Sequence, residues 1–217
     1  MKVYFISGLA ADSRAFQFLK MPGEFEAIYI NWVKPGKNES LESYAQKLSQ
    51  EINYKEKFIL VGLSMGGMLA TEIAKIHPPV LTILLSSVPT PGHFPPWFKI
   101  ADYMRLYKIV PARFFKSASL MKRLFTSESK EVKNKLREII RDSDAEFIRW
   151  ALEAILHWKN QTLPKNMIQI HGSKDELLPI RYTKPDYVIQ KGSHLMVMSR
   201  ADEINELLKN ILNKIEK

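Results

Sequence analysis

The stretch from residue 57 to residue 75 constrains the fold most. Residues 58–61 are an apolar run that suits a buried strand, and the chain then passes a glycine-flanked serine and continues with apolar residues at helical spacing. Gly62-Leu63-Ser64-Met65-Gly66 fits the pattern G-x-S-x-G, in which a serine in a strained strand-to-helix turn needs small residues two positions to either side. Such a turn points the serine hydroxyl away from the sheet and the first helical amides toward whatever the hydroxyl attacks. Ser64 is therefore a candidate nucleophile; the alternative is a tight turn in which Ser64 caps the helix.

Length and composition favour a single globular unit. A chain of 217 residues is long enough for one well-buried core, with room for a small accessory layer. With 46% apolar and 25% charged residues, it has the balance of a soluble protein, and no apolar run approaches the ~18 residues of a membrane-spanning helix. The absence of cysteine excludes disulfides, thiol catalysis and cysteine-bound metals.

Charge and the N-terminal segment bear on partners and location. The net charge of +9 is accompanied by no nucleic-acid-binding motif, so we interpret it as a lysine-rich surface and predict no nucleic-acid partner. Residues 1–11 superficially resemble a short secretory signal, but they carry a single lysine and are interrupted at Ser7-Gly8. We interpret them as a strand and predict a cytoplasmic location.

Strands and helices alternate through most of the chain. The apolar pattern predicts strands at residues 1–6, 27–33, 58–61, 80–86, 167–170 and 187–190. Helices are predicted after Ser40, after Ser64 as far as His77, and over residues 201–214. This order predicts an α/β fold with three layers (α/β/α) and a mostly parallel six-stranded sheet.

The alternation fails between residues 89 and 160. This segment begins with several prolines and then predicts helices near residues 98–109, 112–125, 130–140 and 145–158. It is too long for a loop, so we predict a core formed by residues 1–88 and 161–217, with residues 89–160 inserted as a helical lid. Its aromatic residues, among them Phe94, Trp97, Phe98 and Phe114-Phe115, are more than a plain crossover helix needs, and the first three are predicted to bind substrate. The alternative is that these helices are simply more core.

The order of these features resembles the α/β-hydrolase family, in which G-x-S-x-G follows one strand, an acid a later strand and a histidine the last. The resemblance covers nearly the whole chain and is to a compact form without the first two antiparallel strands. It implies that Ser64 is the nucleophile and that His194 is the general base and then the general acid. It also implies that Asp175 orients the imidazole, with Glu176 as the alternative, and that His171-Gly172 belongs to the acid loop. A structural loop histidine is the alternative for His194.

The resemblance also implies an oxyanion hole formed by the backbone amides of Met65 and Leu9. The loop that carries Leu9 departs from the family's common His-Gly start and has Ser7-Gly8 instead, so Ser7 is a possible substrate contact. His77, His93 and His157 are interpreted as structural. No spacing indicates a metal site, and no cofactor is implied.

We therefore predict a carboxylesterase-like serine hydrolase that cleaves a small ester, thioester or similar acyl substrate through an acyl-enzyme. The aromatic residues of the lid predict an apolar pocket, and its basic residues predict a preference for anionic acyl groups. Related triads also serve lyases, haloperoxidases and carbon–carbon bond hydrolases, so these reactions stay open. A ligand-binding protein without catalysis is the alternative from another class.

Overall fold

The computed structural model describes residues 1–105, 107 and 129–215. Within them the strands are β1 (Lys2–Ile6), β2 (Glu26–Ile30), β3 (Phe58–Leu63), β4 (Leu81–Leu85), β5 (Met167–Gly172) and β6 (Tyr187–Ile189). They form one parallel sheet in the order β2-β1-β3-β4-β5-β6. The strand order reverses between β1 and β3, and in sheets of this kind ligands bind beyond the carboxyl ends of the strands at that point.

The central strands are apolar because both of their faces are covered. All residues of β3 and β4 are buried, whereas the edge strands β2 and β6 are partly exposed. Alternate residues of β1 enter two different cores: Tyr4 and Ile6 face one side, and Val3 and Phe5 face the other. Each face is covered by helices, so the predicted three-layer α/β/α fold is confirmed.

The described helices are α1 (Leu41–Leu48), α2 (Met65–Ile76), α3 (Pro96–Tyr103), α4 (Lys130–Asp142), α5 (Ala145–Leu156), α6 (Met196–Ser199) and α7 (Ala201–Leu212). Local sequence explains where several of them begin. The side chains of Ser40, Ser129 and Asp144 accept backbone hydrogen bonds in the first turns of α1, α4 and α5. Among the described residues, no helix is both long and apolar enough to cross a membrane.

Helices α3, α4 and α5 lie between β4 and β5, in the segment predicted as an insertion. They are packed against the core. Phe147 and Trp150 of α5 share a buried cluster with Tyr44 of α1, and the ring centroids of Trp150 and Tyr44 are 4.3 Å apart. Leu136 and Ile140 of α4 form a separate cluster with Leu195. The helix predicted over 112–125 and the Phe114-Phe115 pair lie outside the described residues.

Hydrogen bonds of Asn160 connect the two ends of the segment between β4 and β5. The Asn160 side-chain amide donates to the carbonyl of Pro89 at 2.8 Å and to that of Thr162 at 2.7 Å, and its oxygen accepts from Lys75 at 3.1 Å. Because Lys75 lies on α2, the same side chain also fastens the insertion to the helix that follows Ser64.

Candidate active site

Ser64 lies in a strained turn between β3 and α2. Its φ of 52° and ψ of −118° are unusual for a residue with a side chain. A Cβ added at Gly62 would lie 2.3 Å from the Gly66 carbonyl oxygen, and one added at Gly66 would lie 2.1 Å from the carbonyl oxygen of Ile6. Both distances are too short for real atoms, so the turn requires glycine at both positions.

The backbone of Ser64 is held by the neighbouring strand β4. The Ser64 amide donates to the Leu85 carbonyl at 3.0 Å, and the Ser87 hydroxyl donates to the Ser64 carbonyl at 2.6 Å. Sequence reasoning missed Ser87, since its role depends on β4 lying beside β3. The Ser64 side chain makes no capping bond to α2, so the interpretation of Ser64 as a helix cap is wrong.

The Ser64 hydroxyl is hydrogen-bonded to the His194 imidazole. The distance from Ser64 Oγ to His194 Nε2 is 2.9 Å. His194 follows β6 through Lys191, which has a φ of 58°, and Gly192. A Cβ at Gly172 would lie 2.3 Å from the Gly192 carbonyl oxygen, so β5 and this loop approach closely enough to bring His194 over the sheet end.

The His194 imidazole is in turn hydrogen-bonded to the buried carboxylate of Asp175. Its Nδ1 lies 2.8 Å from Asp175 Oδ2, while Asp175 Oδ1 accepts from the amides of Leu177 at 3.0 Å and Leu178 at 2.8 Å. Burial alone would raise the pKa of Asp175, but nearby His194 and the hydrogen bonds from His171 and His194 outweigh it and hold that pKa well below its usual range. Glu176 is exposed, so the structure brings Asp175 and not Glu176 to the imidazole.

His171 is a second imidazole beside Asp175. The prediction put His171 and Gly172 in the acid loop, and it is wrong on this point, because they are the last residues of β5 and pair with Val188 and Ile189. The His171 side chain is fully buried, with Nε2 2.7 Å from the Leu178 carbonyl oxygen and 3.2 Å from Asp175 Oδ2. Its spacing of four residues from Asp175 is the sequence signal that could have drawn attention to it.

Two backbone amides near Ser64 are available to bind an oxygen. Met65 begins α2, and Leu9 follows Gly8, where an added Cβ would lie 3.3 Å from the Ser64 Cβ. Within the described part of the chain, neither the Leu9 nor the Met65 amide donates a hydrogen bond. Both amides therefore have their donor capacity left for a ligand beside the serine.

The loop after β1 is held without the common His-Gly start. The Ser7 hydroxyl donates to the Ala11 carbonyl at 3.1 Å, and the Trp32 indole N–H donates to the same oxygen at 2.6 Å. Ser7 is buried and its hydroxyl is used inside the loop. Trp32 was missed from the sequence because it comes from the segment after β2, which the fold brings beside this loop.

A cavity of about 500 Å³ opens above Ser64 and His194. Leu63, Met68 and Leu178 of the core contribute to its wall, together with Trp97 and Phe98 of α3 and with residues of α4 and α5. Phe94 does not line it among the described residues; its ring stacks on that of Phe98 at a centroid distance of 4.6 Å. The structure thus places Trp97 and Phe98 at the cavity and Phe94 behind them.

The described cavity wall carries no Asp, Glu, Lys or Arg side chain. The basic residues of the insertion that the structure describes therefore do not supply a partner for an anionic acyl group. In the part of the chain covered by the structure, no group of three or more His, Cys, Asp or Glu side chains is placed to hold a metal ion.

The other histidines have contacts elsewhere. The His77 ring stacks on Tyr54 at a centroid distance of 4.1 Å, and His93 Nδ1 lies 2.9 Å from the Thr90 hydroxyl. His157 Nε2 lies 3.1 Å from Asp102. None of these contacts involves Ser64, His194 or Asp175.

A serine hydroxyl bonded to an imidazole whose second nitrogen faces a buried carboxylate is an arrangement that can activate the serine as a nucleophile. Here it stands at the carboxyl ends of parallel strands, beneath an apolar cavity. The fold and these side chains together define the class: an α/β protein with a serine, a histidine and an aspartate side chain hydrogen-bonded in sequence at the carboxyl ends of its strands.

The particular family is shown by comparison with known proteins. Residues 5–207 match the model of the alpha/beta hydrolase family, and the chain belongs to that family. No curated protein sequence matches the chain. Its fold is similar to that of a thermophilic esterase from Thermogutta terrifontis, with 20% identity, a TM-score of 0.81, and coverage of 100% of this chain and 91% of the other.

Two further solved structures have the same fold. MenH from S. aureus is 17% identical, with a TM-score of 0.79 and coverage of 100% of this chain and 95% of the other. The hydrolase olei00960 from Oleispira antarctica is 16% identical, with a TM-score of 0.79 and coverage of 100% and 91%. At these identities the likeness concerns the fold alone.

Proposed function

We propose that the protein is a serine hydrolase that cleaves esters or thioesters of neutral, apolar acyl groups. The observation that carries this proposal is the hydrogen-bonded chain from Ser64 through His194 to Asp175, opening directly onto an apolar cavity. In this proposal Ser64 is the nucleophile, His194 the general base and acid, and Asp175 the group that fixes the imidazole tautomer.

The reaction has two halves. Ser64 Oγ attacks the acyl carbonyl carbon while its proton passes to His194 Nε2, and the carbonyl oxygen becomes an oxyanion that accepts from the amides of Leu9 and Met65. The alcohol or thiol leaves with the proton from His194, and an acyl-enzyme remains on Ser64. A water molecule then gives a proton to His194 and attacks the same carbon, which releases the acid and returns the proton to Ser64.

The cavity wall supports the choice of acyl group. Its described side chains are almost entirely apolar and come from both the core and the inserted helices, so we propose that residues 89–160 act as a cap over the acyl chain. A buried carboxylate on the substrate would find no cationic side chain in the part of this wall that the structure describes. The proposal therefore replaces the anionic acyl group predicted from the charge of the insertion with a neutral one.

The experiment compares Ser64→Ala with Ser49→Ala. Ser49 is also buried, but its hydroxyl bonds to the Gln46 carbonyl, away from the cavity, which makes it a matched control. We expect Ser64→Ala to lower turnover of p-nitrophenyl butyrate by roughly 10⁴-fold or more and to abolish labelling by a fluorophosphonate probe, while Ser49→Ala keeps both. Wild-type turnover by folded Ser64→Ala would overturn the proposal.

The acyl preference has its own test. We expect a higher kcat/KM for p-nitrophenyl hexanoate than for mono-p-nitrophenyl adipate. The two acyl groups have the same number of carbons, but the adipate monoester keeps a free carboxylate at its far end. A preference for the adipate ester would contradict the neutral-substrate part of the proposal. Product analysis on non-ester panels separates hydrolysis from lyase or haloperoxidase chemistry.

A further inference from the structure

His171 is the buried titratable residue that the proposed reaction does not use. It ends β5 with a fully buried side chain, and both groups facing its Nε2 are acceptors: the Leu178 carbonyl oxygen at 2.7 Å and Asp175 Oδ2 at 3.2 Å. Its Nδ1 has no hydrogen-bond partner among the described residues. Because Nε2 faces two acceptors, it is the nitrogen that carries the proton in this arrangement.

We propose that His171 is a positioning residue for Asp175. This inference rests on the proposed function, in which Asp175 orients His194. The Nε2–H of His171 donates to the carbonyl oxygen of Leu178, and the backbone amide of Leu178 donates to Asp175 Oδ1 at 2.8 Å. Leu178 is thus held by His171 at the end of β5, and Leu178 in turn holds the Asp175 carboxylate.

The second contact of His171 acts on the carboxylate itself. Asp175 Oδ2 lies 2.8 Å from His194 Nδ1 and 3.2 Å from His171 Nε2, whose single N–H it shares with the nearer Leu178 carbonyl oxygen at 2.7 Å. Oδ1 is fixed by two backbone amides. A buried carboxylate with donors on both oxygens cannot rotate without losing a charge-assisted hydrogen bond, and this keeps Oδ2 directed at His194.

Other backbone hydrogen bonds of this loop lie at its start. The Asp175 amide donates to the Gly172 carbonyl at 3.2 Å, and the Lys174 amide donates to that of Gly192 at 2.8 Å. These bonds hold the start of the loop. The far end, at Leu178, is held by apolar packing and by the His171 bond, so removing that bond leaves packing alone to place the part that supplies the amide donors to Oδ1.

The test compares three variants of one strand. His171→Gln keeps an N–H donor at a similar reach, and His171→Phe fills the space without a donor. Ile168→Ala is the control, since Ile168 lies on the same strand and packs against the apolar core on one face of the sheet. All three are measured for kcat and KM with p-nitrophenyl butyrate and for stability in urea.

We expect His171→Phe to lower kcat by about 10- to 100-fold with KM nearly unchanged, because a donor near the buried charge is lost. His171→Gln should restore kcat to within about threefold of the wild type, and Ile168→Ala should lose stability while keeping kcat. Equal losses in the Gln and Phe variants, or an unchanged kcat in folded His171→Phe, would overturn the proposal.

A spectroscopic measurement on the wild-type protein keeps the test independent of how the variants fold and of turnover. ¹⁵N-labelled histidine NMR should show His171 with its proton on Nε2 and His194 with its proton on Nδ1. In His171→Gln the His194 Nδ1 proton resonance should stay in place, and in His171→Phe it should shift or broaden. A proton on His171 Nδ1 in the wild type would overturn the proposed role of His171. Absence of turnover in every protein, including the wild type, would instead count against the proposed hydrolase function.

Discussion

The polar and apolar halves of the candidate site are built differently. Ser64, Asp175 and His194 stand where β3, β5 and β6 end, and their positions are set by backbone contacts such as the close approach of Gly66 to Ile6. Much of the cavity wall, in contrast, is made by side chains of helices inserted between β4 and β5. The polar half depends on distances that a single methyl group would disturb, and the apolar half depends on the volume of side chains.

The difference also shows in what each half is packed against. The turn at Ser64 is enclosed by β1, β4 and α2, where almost every residue is buried. Helix α5 is anchored in the core on one side, through Phe147 and Trp150, and faces the cavity on the other, through Leu152 and Leu156. Substitutions in the polar half should therefore change kcat, and those in the cavity wall should change the choice of acyl chain.

Among the variants that test this division of the site, the largest effect is expected for Asp175→Asn. The amide cannot accept from both imidazoles and hold His194 in the tautomer that accepts the Ser64 proton, so kcat should fall by about 10³- to 10⁴-fold. The measurement is single-substrate kinetics on an acetate and an octanoate ester. A loss confined to the longer ester would mean that the polar and apolar halves are not separable in this way.

The same variant tests the lowered pKa of Asp175. A carboxylate whose pKa is lower in the folded than in the unfolded state stabilises the fold above its unfolded pKa of about 3.9, and that stabilisation is lost as the pH falls through the folded pKa. The difference in unfolding free energy between wild type and Asp175→Asn should thus be largest above about pH 5 and shrink in acid. A difference that stays constant down to about pH 2 would contradict the lowered pKa.

The next largest effect is expected for Gly66→Ala. The added Cβ would lie 2.1 Å from the Ile6 carbonyl oxygen, so β1 and the turn must separate, and we expect a loss of roughly 3 kcal/mol or more in unfolding free energy. Urea unfolding measures it. Gly23→Ala is the control, because an added Cβ there meets nothing within 4 Å. Equal stability of the two variants would show that the turn is more yielding than its geometry indicates.

The smallest effect is expected in the apolar half, for Leu152→Ala. Leu152 lines the cavity from α5, and shortening it removes contact with a long acyl chain. KM for p-nitrophenyl octanoate should rise by about three- to tenfold while kcat for the acetate stays within about twofold. Leu163→Ala, at an exposed leucine, is the control. A fall in kcat for the acetate ester in Leu152→Ala would show that Leu152 affects the catalytic step as well as acyl-chain binding.

Much of the polar half could be predicted from the sequence because its signals are local. The glycines around Ser64, and the positions of Asp175 and His194 just after strands, are set by short-range geometry that a motif records. The alternation of apolar strands and amphipathic helices predicted the fold, and the match of residues 5–207 to the family model confirmed the family.

The missed residues share a physical reason. Ser87 and Trp32 act through neighbours that only the assembled sheet brings together, such as the Ala11 carbonyl that accepts from Trp32. His171 was named from the sequence, but its contacts were missed because they depend on how the following loop turns Asp175 and Leu178 back toward it. The position of Phe94 behind Phe98 depends on how α3 packs, which periodicity does not encode. Strand ends were also uncertain: β5 continues to Gly172 because its last residues pair with β6, a contact invisible in the local sequence.

The long separation of the site residues along the chain has a consequence for refolding. Ser64 and His194 are 130 residues apart, and the pairing of β5 with β4, which joins the two parts of the sheet that carry them, spans the segment between those strands. Pairings of high sequence separation form slowly. In a refolding experiment, reactivity of Ser64 should therefore return later than the far-ultraviolet signal of the early strands and helices, so that enzyme activity reports completion of the entire sheet.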